Sequence, residues 1–209
     1  MSGDAQRTTE RRAELERAIC ELHARGELQE AVTRALRGYG SELYGFLFAM
    51  HRNEDEAAEI FAMLSEDLWR GIAGFQFKCS FRTWAYMLAR NAAFRYRRRE
   101  GKRQGREVRL SSSLISQLVA DVVSSSAAEL GGRRSQLEQL RDSLPPDDRT
   151  LLVLRLDKEL SWADVARVML GEDDPAEDAL KRETARLRKR FQLVKERLVA
   201  QGRAMGMLA

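Results

Sequence analysis

Residues 81–91 read FRTWAYMLARN, preceded by FQFKCS at 75–80 and followed by FRYRRR at 94–99. Aromatic rings and guanidinium groups are mixed on what the Ala, Leu and Arg content predicts to be a single helix. The combination suits stacking on unpaired bases while phosphates are neutralised. Seven of the chain's fifteen aromatic residues fall between Phe75 and Tyr96. A core alone would spread them along the chain, so the cluster directs attention to single-stranded nucleic acid. Helical spacing sets Phe81, Trp84, Leu88 and Ala92 on a core stripe and Arg82, Tyr86, Arg90 and Arg97 on another face. A helix that turns its aromatics to the core and its arginines to water fits the same segment, and both readings stay open at this level.

Charge along the chain is segregated. Across 209 residues the formal net charge is only +4, yet eleven basic residues lie between Lys78 and Arg109 against Glu100 and Glu107. Nine more lie between Lys181 and Arg203 against Glu183 and Glu196, which makes two basic blocks, one in each half. Residues 53–67 carry Glu54, Asp55, Glu56, Glu59, Glu66 and Asp67 with no Lys or Arg. Phosphate binding is implausible there, and a protein partner or plain water suits that face. Only six of the thirty-six basic residues are Lys, and the Arg fork is the better shape for bidentate phosphate and guanine contacts, although codon bias explains the excess equally well.

Cys20 and Cys79 stand alone, and His23 and His51 are far in sequence from any ligand set, so no metal, cofactor or disulfide is expected. The polar N-terminus and the lack of a long apolar run predict no membrane insertion and a cytoplasmic protein.

The chain reads as all-α: two small helical domains joined by a linker, the second a helix-turn-helix. Apolar positions Leu15, Ala18, Ile19 and Leu22, then Leu28, Val32 and Leu36, give two amphipathic helices broken near Gly26. Ile60, Leu64 and Leu68 stripe a helix over 56–72, and the long helix runs from about Phe81 to Arg99. Ser111–Ser113, Ser124–Ser126 and Gly131-Gly132 give 100–135 a linker composition, although Ile115, Leu118, Val119 and Val122 have helical spacing and can dock. After Leu144-Pro145-Pro146, Ser161 with Asp164 forms a capping box. Asp174 as N-cap with Pro175 and Glu177 predicts the start of a last, basic helix.

These pieces resemble the extracytoplasmic-function (group IV) sigma factors of bacterial RNA polymerase. The resemblance spans roughly residues 35–99 and 140–200; SFRTWAYMLARN at 80–91 is its most specific motif and LPPDDRTLLVLR at 144–155 the next. It implies an N-terminal helical extension at 1–34, a promoter-melting, minus-ten-binding domain 2 at 35–99, the linker, and a helix-turn-helix domain 4 at 136–209 for the minus-thirty-five element. Implied partners are core RNA polymerase, promoter DNA as duplex and melted strand, and an anti-sigma factor. Phe75, Gln76, Phe77 and Lys78 would capture a flipped base, with Arg82, Tyr86 and Arg90 along the strand and Arg95, Arg97 and Arg98 on duplex phosphates. Thr184, Arg186, Arg188, Lys189 and Gln192 would face the upstream major groove.

Two features depart from the family. The helix that grips a coiled coil of the largest polymerase subunit usually carries an acidic-Leu-Val-Gln-Glu run, and here Glu59-Ile60-Phe61-Ala62-Met63 stands in its place. Glu59, Ile60, Met63, Glu66 and Arg70 are the expected contacts, on an exposed face centred on Met63. The turn before the recognition helix is also about ten residues longer and acidic, so the helix begins early at Pro175 or an extra acidic turn precedes it.

A duplex-binding regulator would need neither a second basic-aromatic block nor an acidic helix for a large partner. A nuclease would need carboxylate or histidine clusters near the basic blocks. A degenerate sigma-like protein that binds partners without initiating transcription stays open because of Ala62 and Met63.

Overall fold

The structure, a computed structural model, describes residues 2–100, 113–130 and 140–205. Every regular element among them is helical, and the chain divides into two compact units, Met1–Leu130 and Gly131–Ala209. No helix among the described residues is long and apolar enough to cross a membrane.

The first unit contains α1 (Ser2–Ala24), α2 (Leu28–His51), α3 (Glu54–Gly71), α4 (Phe81–Glu100) and α5 (Ser113–Leu130). Gly26, at φ 75°, makes the left-handed turn that separates α1 from α2. Asn53 caps α3 by accepting the Glu56 amide at 3.1 Å, and Glu54, Asp55 and Glu56 place negative charge against its N-terminal dipole. A short 3₁₀ turn, Ile72–Gly74, ends α3 and leads into the aromatic loop. The core is built from Leu36, Leu43 and Leu47 of α2, Ile60, Phe61 and Leu64 of α3, and Phe81 of α4, all essentially without solvent contact.

Residues 113–130, within the stretch whose composition predicts a linker, form α5 and pack on α2 and α3. Ile115, Leu118, Val119 and Val122 are its buried apolar positions, with Ser126 buried beyond them, so the helical spacing outweighs the serine content. The approach is close at residue 40, where a Cβ would lie 2.8 Å from a Val122 methyl, so only glycine admits α5 at that distance from α2. The remainder of that stretch, 101–112 and 131–135, lies outside the described residues, as does the expected helical lead from Ser135 to 139.

In the second unit, α6 (Pro146–Leu152) opens on a proline, whose missing amide costs nothing at a helix start, and widens into a π-type turn at Val153–Asp157. Helices α7 (Trp162–Leu170) and α8 (Glu177–Ala204) follow. The capping box is present: Ser161 accepts the Asp164 amide at 3.1 Å, and their side chains meet at 2.6 Å. Gly171, at φ 79°, ends α7. The last helix begins at Glu177 rather than Pro175, with Ala176 in place of Asp174 at its N-cap position. It runs unbroken from there, which settles the longer turn in favour of an early-starting helix. Leu144, Leu152 and Val194 form one cluster of its core, with Leu198 against it. The nearly buried Asp148 of α6 accepts from Arg190 and pairs with Arg197 at 3.5 Å, which ties α6 to α8.

Candidate nucleic-acid interface

The loop 75–80 is organised by its aromatics. Phe75 stacks on Trp84 with centroids 4.6 Å apart and planes 17° from parallel, and Phe81 meets both rings edge-on. Phe77 leans on Phe75 at 4.5 Å and receives the edge of His23 from α1 at 5.1 Å. His23 also hydrogen-bonds the Ile72 carbonyl at 3.0 Å, so α1 supports the loop from beneath. Phe77 holds a left-handed backbone at φ 56°, strained for an aromatic residue and kept by these ring contacts. Phe75 is therefore a buried prop and not an open platform. Gln76 and Lys78 are exposed and Phe77 is half-buried, which leaves these three as the loop's available groups.

The placement of Tyr86 among the arginines is corrected. Its side chain is fully buried, edge-on to Phe46 at 5.2 Å, and its hydroxyl donates to Glu42 at 2.6 Å. The helical wheel puts it beside Arg82, but α2 covers that side of α4, which one helix's periodicity does not reveal. Arg82 donates to the same carboxylate and lies over the Tyr86 ring at 5.5 Å. It is a half-buried structural cation and does not stand free along a strand. Burial pushes the Glu42 carboxyl up, but hydrogen bonding and charge from Arg82, with the Tyr86 hydroxyl, outweigh it and hold it below its ordinary value of 4.5. Burial and the adjacent Glu42 push the Tyr86 phenol well up.

Further along α4, Phe94 is 40% exposed with Arg90 4.5 Å and Arg97 5.7 Å from its ring. A flat ring between two guanidinium groups can stack a base and neutralise its neighbouring phosphates. Phe94 belongs to the aromatic cluster of the sequence but not to its expected strand contacts, although its spacing from Arg90 and Arg97 carries the signal. Arg95 pairs with Asp67 of α3, so its charge is engaged within the fold, while Arg97 and Arg98 are exposed.

The expected polymerase-binding face is also corrected. Met63 is 4% exposed and Glu66 6%, and Ile60 is buried in the core. Helix α3 is packed by α2, α4 and α5, so the side opposite its Ile60–Leu64–Leu68 stripe is covered as well. Arg99 reaches the Met63 sulfur at 3.9 Å, and Glu66 pairs with Arg70 at 2.7 Å. Glu59 is half-buried, and Arg70 is the group that stands in solvent.

In the second unit, Leu187, Phe191 and Val194 turn inward from α8, leaving Arg188, Lys189 and Gln192 exposed and Thr184 half-buried. Arg186 is exposed but pairs with Glu183 through two hydrogen bonds, at 2.7 and 2.6 Å. Trp162 at the start of α7 meets Phe191 edge-on at 5.4 Å and lies beneath Arg155 and Arg188, at 5.3 and 5.8 Å. The tryptophan thus holds two cations at the α7–α8 surface, a link that sequence spacing alone does not show.

Residues 28–103 match the family model for sigma-70 region 2. This part of the first unit is therefore similar to sigma-70 region 2. The match takes in α2, α3 and α4, with the aromatic loop and the Arg90–Phe94–Arg97 line. Comparison with curated proteins finds no match.

Proposed function

We propose that the chain is an alternative sigma factor of the extracytoplasmic-function type, a non-catalytic initiation factor that recruits core RNA polymerase to promoters. The observation that carries this reading is the sigma-70 region 2 match over the helix that presents Gln76, Phe77 and Lys78 at its start and Arg90, Phe94 and Arg97 along its length. The loop takes a base extruded from the melted strand. The ring of Phe94 and its flanking arginines follow that strand, and Arg98 meets the phosphates of the adjoining duplex. Extrusion costs a few kcal/mol, which the loop's contacts with the base offset.

The second unit serves as the minus-thirty-five reader, with Arg188, Lys189 and Gln192 entering the major groove from α8. Glu59 and Arg70 supply the polymerase contact from α3, and an anti-sigma factor is the partner that would hold the protein inactive. Run-off transcription with core polymerase on promoters bearing both elements tests the proposal, with initiation expected only when protein and core are combined.

The burial of Met63 and Glu66 favours one second reading, a sigma-like protein that binds nucleic acid or partners without initiating. Retained binding of core polymerase with no run-off transcript on any promoter tested would select it.

A further inference from the structure

A cavity of about 470 Å³ opens between α1 and α2. Thr8, Arg11 and Arg12 line it from α1, and Arg34, Arg37 and Glu42 from α2. Four guanidinium groups thus face one space that holds a single carboxylate, and that carboxylate is already engaged by Arg82 and the Tyr86 hydroxyl, with Arg12 4.0 Å from it. Arg11, Arg34 and Arg37 are exposed and have no carboxylate partner among the described residues. The two helices meet tightly beside the opening, where Leu15 fills the space that a side chain on residue 38 would take. The arginines are therefore set on a fixed frame rather than on a loose end.

We propose that this cavity binds two or three neighbouring phosphate groups. Arginine forks match phosphate oxygens two at a time. Bringing like charges around one space is unfavourable, and a compact polyanion removes that repulsion while gaining charge-assisted hydrogen bonds. The volume falls in the range that takes a nucleotide-sized ligand. The α1 wall lies outside residues 28–103, so the site is only partly built from the matched residues.

Two sources offer such phosphates. One is a free nucleoside polyphosphate. The other is the single strand itself: Glu16, one helical turn beyond Arg12, hydrogen-bonds the first amides of α4, so the α1 wall of the cavity continues to the end of the aromatic loop. The strand source rests on the sigma reading, whereas phosphate binding by the cavity does not.

The test is titration calorimetry of the full-length protein without polymerase, using inorganic tripolyphosphate at physiological salt. Saturable binding is expected, weakened at least about tenfold in Arg34→Ala/Arg37→Ala and retained in Arg34→Lys/Arg37→Lys. The charge-matched control Arg17→Ala/Arg25→Ala should bind as the parent does. Absence of binding by the parent protein, or equal weakening in the control, overturns the proposal. Competition then identifies the source: displacement of a labelled minus-ten single strand by tripolyphosphate supports the strand, and binding of a nucleoside triphosphate without such displacement supports the free nucleotide. Failure of run-off transcription alongside intact tripolyphosphate binding would count against the sigma reading alone.

Discussion

The Glu16 carboxylate on α1 closes the N-terminus of α4 by accepting the backbone amide of Phe81 at 2.8 Å. Its other oxygen accepts the Arg82 amide at 2.9 Å and the Tyr39 hydroxyl at 2.8 Å. A helix from outside the matched residues thus adds two acceptor contacts to the local cap, in which Ser80 accepts the Thr83 amide at 3.0 Å. Glu16→Ala should cost about 1–2 kcal/mol, since two helix-end amides and a buried phenol lose their acceptor. A lowered thermal midpoint by circular dichroism checks this, and Glu16→Gln should recover part of the loss.

Acid should weaken the first unit through Glu42. Its carboxyl is held below its ordinary 4.5, so its contribution is fully present above that value and is lost as pH falls through the lower folded-state value. Arg82→Ala removes the main group that lowers it and leaves burial to raise it, which reverses the sign. In that variant the destabilisation should be largest near neutral pH, where Glu42 must be charged without its partner, and smaller in acid. Removing a partner from a half-buried pair should cost about 1–3 kcal/mol at neutral pH, measured as denaturation midpoints from pH 7 to pH 4.

Met63→Asp should unfold the first unit rather than selectively release a partner. Placing a carboxylate at a 4% exposed position costs several kcal/mol or forces its protonation. Arg70→Glu, at a side chain 72% exposed, should leave the circular dichroism spectrum unchanged. If α3 contacts polymerase through its exposed residues, Arg70→Glu with Glu59→Lys should reduce co-purification of core polymerase by roughly tenfold or more, a loss of about 1.4 kcal/mol or greater. Undiminished co-purification would move the contact off α3.

The helices were legible because each carries its own signal: the Gly26 break, the Ser161–Asp164 box, and the apolar stripes of 54–71 and 81–100. The candidate site was legible only in part. Arg97, Arg98, Gln76 and Lys78 are exposed as their composition suggests, whereas Tyr86, Met63 and Glu66 are buried by neighbouring helices. One helix's periodicity separates an inner from an outer face, but a helix packed on several sides has little outer face left. That packing depends on α5 folding back through contacts such as Gly40 with Val122, and serine-rich composition over 100–135 conceals it. The Glu16 cap is equally hidden, because its partners are 65 and 66 residues away in the chain.

Phe94 and Tyr86 should separate nucleic-acid contact from structure. Phe94→Ala removes a 40% exposed ring from between two arginines and should leave stability nearly unchanged. Its affinity for a minus-ten single strand, in complex with core polymerase, should fall by about 1–3 kcal/mol, the range for one stacked base. Tyr86→Phe removes only the hydroxyl that Glu42 accepts, and should lower the thermal midpoint while leaving strand affinity unaltered once the protein is folded. Loss of strand binding in folded Tyr86→Phe, with none in Phe94→Ala, would place the strand elsewhere.

Charge reversal in the second unit should distinguish cations by their partners. Arg188 and Lys189 are exposed on α8, with Arg188 over the Trp162 ring, whereas Arg186 is held by two hydrogen bonds to Glu183. An engaged guanidinium must first give up its carboxylate to meet a phosphate, so its loss should matter less than that of its neighbours. Arg188→Glu with Lys189→Glu should abolish dependence on the upstream promoter element, a loss of several kcal/mol, because two attractive contacts become repulsive. Binding of core polymerase should be unchanged, and Arg186→Ala should reduce upstream recognition only slightly. Run-off transcription on promoters with intact and scrambled upstream elements reads both variants. Normal initiation by the double variant would shift the reading surface toward Lys181 and Arg182, at the acidic start of the same helix.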